Sequence, residues 1–140
     1  MRFLAIMYPG AKADLAVPSP EAIAEMMKFN EALSQAGVLL SLDGLHPPAN
    51  GVRIRFDGKK RTIHDGPFSE AKEVIGGYWI LQVRSKEEAV EWMSRCPAGE
   101  GEMIELRQVF EMEEFNPDEN LKKTAARLEQ EMSDNKKRGA

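Results

Sequence analysis

Two helical stretches, each opened by a serine and closed by glycine or proline, divide the short apolar runs of this chain, and that order most restricts its fold. The first opens at Ser19-Pro20-Glu21, with serine placed to cap and proline suited to the first helical position. It carries Ile23, Met26, Met27, Asn30 and Leu33 at helical spacing until Gly37. The second opens at Ser85 with Glu88 three residues on, a capping-box spacing, and carries Ala89, Val90 and Met93 until Pro97.

The intervening runs read as strands. Phe3 to Tyr8 is apolar and stopped by Pro9-Gly10, as a strand buried on both faces would be. Val38 to Leu42 leads through Asp43-Gly44 to the stiff Pro47-Pro48 pair. Val52, Ile54 and Phe56 alternate with polar residues up to Asp57-Gly58, read as a two-residue turn, and a return strand runs from Lys59 to Ile63. Ile75 to Val83, entered through Gly76-Gly77, is the expected central strand, and Ile104, Leu106 and Phe110 mark the last one. Strand, helix, strands, strand, helix, strand suits two helices on one face of an antiparallel sheet, an α+β ferredoxin-like fold. A third helix is expected from Asn116-Pro117-Asp118-Glu119, with Leu121, Ala125, Leu128 and Met132 at helical spacing and a frayed basic end at Lys136-Lys137-Arg138. Its narrow apolar stripe either lies on the domain or reaches a partner subunit. The division expected is a domain over 1–115 and a C-terminal helix and tail over 116–140.

Bulk properties limit function more than they define it. A chain of 140 residues, 42% apolar and 30% charged, is long enough to close one core without disulfide or metal. Its net charge of -4 argues against bulk nucleic-acid binding, which needs cations gathered against phosphate. The one cysteine, Cys96, excludes an intrachain disulfide framework and suits a reducing compartment, the cytoplasm. The eight-residue apolar start is too short for a signal-peptide core, and no run reaches the ~18 residues of a membrane helix, so a soluble protein is expected.

The stretch that most suggests chemistry is Asp65-Gly66-Pro67-Phe68, where glycine and proline fix the backbone between an acid and an aromatic ring. Asp65 either caps the turn into Ser69-Glu70 by accepting a backbone N–H, or stands at a cleft mouth and moves protons. Glu70, Lys72 and Glu73 then either extend a polar site or form a solvated helical turn. His64 adjoins Asp65, but neighbours on a strand point to opposite faces, so adjacency makes no acid-base pair. Gly77 beside Tyr78 admits either a bulge or a ligand against the ring, and Tyr8 either faces the same cleft or bridges core and solvent. Arg53, Arg55, Lys59, Lys60 and Arg61 make the hairpin basic, attractive to an anion or simply protective of an edge. Two histidines supply too little for a metal centre, no cofactor motif occurs, and Cys96 reads as a packing residue without a partner base.

These blocks carry a resemblance. Phe3-Leu4-Ala5-Ile6-Met7-Tyr8, Ala36-Gly37-Val38-Leu39, Gly44-Leu45-His46-Pro47-Pro48-Ala49 and Asp65 through Glu73 resemble the YCII-related proteins, in their DGPF branch, over residues 1 to about 115. Gly76-Gly77-Tyr78, Glu88-Ala89, Glu91-Trp92 and Cys96-Pro97 extend it. The resemblance implies a ferredoxin-like subunit of dimeric α/β-barrel type, a homodimer formed through its sheet. Some DGPF proteins are linked to extracytoplasmic-function sigma factors, and distant YCII relatives include an enzyme acting on chlorinated lactones. In the wider group a histidine soon after the first strand partners the aspartate that Asp65 matches; here Tyr8-Pro9-Gly10 follows that strand and the first histidine is His46.

Two functions follow as expectations. One is a dimeric small-molecule-binding domain with acid/base capacity, with Asp65 as its catalytic acid and Tyr8, His64, Glu70, Lys72, Gly77 and Tyr78 around the ligand. The other is a regulatory module that docks a protein such as a sigma factor. Whether the chain is an enzyme is open at this stage, and no cofactor is implied.

Overall fold

The computed structural model describes residues 1–10, 18–68 and 74–139. The chain divides into two compact units, Met1–Val109 and Phe110–Ala140.

In the first unit, β1 (Arg2–Tyr8), α1 (Pro20–Gln35), β2 (Leu39–Gly44), β3 (Val52–Asp57), β4 (Lys60–Asp65), β5 (Gly77–Gln82), α2 (Lys86–Met93) and β6 (Met103–Gln108) follow in order. Four strands form an antiparallel sheet ordered β2-β5-β1-β6, while among the described residues β3 and β4 pair only with each other. The ribbon β3–β4 is thus an insertion between the second and third strands of a ferredoxin-like sheet. Both β1 and β5 are interior, as their near-continuous apolar runs require.

The helices begin where the sequence places them. The Ser19 hydroxyl accepts the Ala22 N–H at 3.1 Å, satisfying a donor the helix itself cannot, and Pro20 occupies the first turn. At α2, the Ser85 hydroxyl accepts the Glu88 N–H at 3.1 Å, and the Glu88 carboxylate reaches past the cap to the Arg84 N–H at 2.7 Å. Gly37 takes φ +74°, a left-handed conformation that closes α1 at no steric cost.

One sheet face carries Phe3, Ala5, Met7, Trp79 and Leu81 into the core with Phe29 and Leu33 of α1 and Ala89 and Met93 of α2. Leu33 and Leu81 are wholly buried, each contributing about 1.5–3 kcal/mol by leaving water. One polar pair sits inside. The indole N–H of Trp79 donates to the Asn30 side-chain oxygen at 2.8 Å, and the Trp79 ring meets Phe29 edge-on at 6.2 Å. This pins the sheet to α1 in one register.

Four details depart from the sequence reading. The hairpin turn is Gly58-Lys59, since Asp57 pairs with Lys60; only Gly58 takes positive φ (+60°), which suits glycine first. The bulge expected at Gly76-Gly77 lies instead on β2, between Leu39 and Ser41, and leaves Leu40 exposed. The last strand ends at Gln108, and Phe110 packs its ring on Phe115 at 5.0 Å in the second unit. There α3 spans Glu119–Arg138, so the basic end is helical rather than frayed: Lys136, Lys137 and Arg138 stand in the last turn, where cations suit the helix dipole. Asp118 caps α3 by accepting the Leu121 N–H at 2.8 Å. Leu121, Leu128 and Met132 are half-exposed along it. Among the described residues, no helix is long and apolar enough to cross a membrane.

Candidate functional site

The Asp65-Gly66-Pro67-Phe68 stretch closes the base of the ribbon. Gly66 donates its N–H to the Gly51 carbonyl at 2.9 Å, and the short 3₁₀ turn Pro48–Asn50 packs directly on it. A Cβ at position 66 would overlap the Pro48 carbonyl oxygen, so glycine is required here by close backbone approach rather than by an unusual φ. The Gly66-Pro67 peptide is cis.

Phe68 emerges beneath the ribbon, and the Arg53 guanidinium lies over its ring, 3.8 Å from the centroid. Register puts Arg53 opposite His64, with Arg55 two residues along, so all three stand on one face of the ribbon. A hollow of about 670 Å³ is lined by Arg53, Ile54, Arg55, His64, Asp65, Pro67 and Phe68. The stacked guanidinium holds its planar fork in place without losing its charge, which prepares it for a carboxylate. His64 and Asp65 are both exposed and follow each other on β4, on opposite faces, as strand alternation predicts.

The two tyrosines stand elsewhere, on the sheet face turned away from the helices. Asp43, Tyr78, Ile6 and Glu105 form one row across all four strands, and Ser41, Ile80, Leu4 and Arg107 the next. Tyr78 donates to the Asp43 carboxylate at 2.8 Å, and Tyr8 to the Glu105 carboxylate at 2.8 Å. The centre of this face is apolar, with Ile6 only 7% exposed, and its edges are polar. Neither tyrosine lines the hollow at Asp65. Gly77 is buried, and an added Cβ would come within 2.9 Å of the Asp43 carbonyl oxygen, so the space beside it is already taken by backbone. Glu70 and Lys72 lie outside the described residues. The sequence-predicted site therefore separates: His64 and Asp65 are brought together at the ribbon, Tyr8 and Tyr78 on the sheet face turned away from the helices. Arg53, Arg55 and Phe68 complete the hollow; the Arg-x-Arg alternation facing His64 across a hairpin was the signal for the first two.

Donation to a carboxylate raises the Tyr8 pKa above its ordinary 10.0, with desolvation and the Glu105 charge adding and Arg107 opposing. Tyr78 is raised in the same way by its hydrogen bond to Asp43, then by desolvation and the Asp43 charge, with Ser41 opposing. Both stay phenolic at neutral pH and act as donors, not bases. A folded-state pKa above the unfolded value gives stability that is complete below pH 10 and lost as pH rises through the raised values. Absorbance titration at 295 nm should therefore place both phenolate transitions of the native protein above 10.0, with Tyr8→Phe and Tyr78→Phe each removing one. Burial, and then the Glu102 charge, push the Cys96 thiol up to about 11, so it is a poor nucleophile. Among the described residues, no group of three or more His, Cys, Asp or Glu could hold a metal ion.

The YCII-related domain matches residues 1–113, most of the chain. The chain belongs to the YCII-related domain family. Comparison with curated proteins finds no match. The matched span covers the sheet, its helices, the ribbon and the Asp65-Gly66-Pro67-Phe68 turn, and stops before α3.

Proposed function

We propose that this YCII-related chain, of the DGPF branch, is the subunit of a homodimeric, cytoplasmic small-molecule-binding protein whose ligand is a small hydroxycarboxylate or its lactone. The observation that carries the reading is the Arg53 guanidinium fixed on the Phe68 ring, beside Arg55 and His64 and next to Asp65, around one hollow. Arginines bind a carboxylate through paired N–H donors. A ligand hydroxyl donating to the Asp65 carboxylate is poised for proton transfer, the geometry of a general base, and Phe68 offers an apolar wall. Pairing of two chains is supported by the sheet face turned away from the helices, where Leu4 and Ile80 are partly exposed around Ile6 and both edges are polar, the usual anatomy of a protein interface.

Thermal-shift measurements with mandelate, phenylacetate and γ-butyrolactone test the ligand reading. Mandelate is expected to raise Tm more than phenylacetate, which lacks its hydroxyl. Arg53→Ala should lose both responses, and Asp65→Ala should lose the preference for mandelate. No response to any of the three, or a mandelate preference unchanged in Asp65→Ala, would sink the reading.

A second reading is favoured by α3, whose Leu121, Leu128 and Met132 keep a half-exposed apolar stripe. Such a stripe suits an interaction module that docks a protein, for instance an extracytoplasmic-function sigma factor. Recovery of that partner should fall when the chain is truncated after Phe115; equal recovery would count against it.

A further inference from the structure

The ribbon β3–β4 has a second face, of which the hollow takes only Ile54 and Asp65. Alternation puts Val52, Ile54, Phe56 and Ile63 together on it, flanked by Arg61 and Asp65, and the four apolar residues are 54%, 53%, 76% and 64% exposed. A two-stranded ribbon is marginal in water unless one face is covered. Among the described residues, the ribbon pairs with no strand of the four-stranded sheet. Its apolar face amounts to roughly 500 Å², near the largest patch an ordinary monomer exposes.

We infer that this ribbon is an arm that lays its apolar face on a second copy of the chain. Charge selects that occupant. Residues 52–65 carry five Lys or Arg and two Asp, a net +3 in a chain of net -4, so the rest of the chain carries -7. On the apolar face Arg61 and Asp65 balance, so the excess stands on the other face and the turn and acts at longer range: arm repels arm, and arm attracts body. Asp43 and Glu105, at the two edges of the sheet face turned away from the helices, give the body acidic groups beside apolar ones. Area agrees. In a two-fold dimer each arm contact is made twice, and two arms with the surfaces they cover bury about 2,000 Å², the size of a stable interface.

The inference rests on the pairing proposed above and adds the element that makes it. Sedimentation velocity on the full chain separates the two. Phe56 is the most exposed of the four, beside the turn, so Phe56→Glu should leave the body folded, as its circular dichroism reads. Wild type is expected near twice the 15.7 kDa chain mass. Phe56→Glu should weaken association by about tenfold or more. Dimerisation of Phe56→Glu at wild-type strength would overturn the arm and leave pairing through the sheet; a monomeric wild type would overturn both. A photo-crosslinking phenylalanine analogue at position 56 gives an independent readout. Adducts between chains that map outside residues 52–65 are expected. Adducts confined to one chain, or joining arm to arm, would contradict the inference.

Discussion

Trp79→Ala is expected to be the most damaging core substitution in this chain. The ring is nearly buried, stacks edge-on with Phe29 and spends its one polar atom on Asn30. Truncating a buried aromatic to alanine costs about 3–5 kcal/mol through lost transfer energy and the cavity left behind. The Asn30 carbonyl, itself buried, also loses its donor, and an orphaned buried acceptor costs about 1–3 kcal/mol more. Against a total stability of about 5–15 kcal/mol, the variant should be largely unfolded near 37 °C. Trp79→Phe separates the two contributions, since it retains much of the ring packing and removes only the N–H. Urea unfolding should place Trp79→Phe between wild type and Trp79→Ala; equal midpoints for the two variants would mean the hydrogen bond carries the whole effect.

Gly66→Ala is expected to be nearly as costly, for a different reason. The added methyl would occupy the place of the Pro48 carbonyl oxygen, and a backbone atom cannot swing aside as a flexible side chain can. Either the Pro48–Asn50 turn moves or Gly66 gives up its hydrogen bond to Gly51. The cost should sit at the upper end of the ~1–3 kcal/mol typical of overpacking. It should appear locally first. Amide exchange at position 66 should quicken, and mandelate binding at the hollow should fall, because Phe68 is placed by this turn. A Gly66→Ala protein with wild-type exchange and binding would mean the turn has slack that the packing does not suggest.

The contrast between these sites explains what could be read from the sequence. Helix starts at Ser19 and Ser85 were legible because capping is local chemistry, set by residues three apart. The core strands were legible because β1 and β5 are interior and must be apolar throughout. The turn at Gly58-Lys59 was misplaced by one residue because Asp-Gly pairs favour a different turn, and only the Asp57–Lys60 register decides. The bulge at Leu40 had no local signature; it arises where β2 must stay in phase with β5.

The candidate site was legible in its pieces and not in its grouping. Asp65 stands out by its unusual motif and His64 by adjacency alone, and both line one hollow from opposite faces of the strand. Tyr8 and Tyr78 were joined to them by sequence proximity to strand ends, yet register assigns both tyrosines to the sheet face turned away from the helices, with Glu105 and Asp43 as partners. Which face a residue takes depends on pairing between strands 35 and 97 positions apart, information that no local pattern holds. By sequence Arg53 is one of five hairpin cations, suited to an anion or to protecting an edge; only the fold lays its guanidinium over Phe68.

Titrating mandelate into isotope-labelled protein and following amide shifts by NMR reads out whether a small hydroxycarboxylate binds in the ribbon's hollow. Saturable shifts are expected at Arg53, Arg55, His64 and Phe68, absent in Arg53→Ala. Shifts centred on Tyr8 and Tyr78, or none at saturating mandelate, would contradict binding in the hollow.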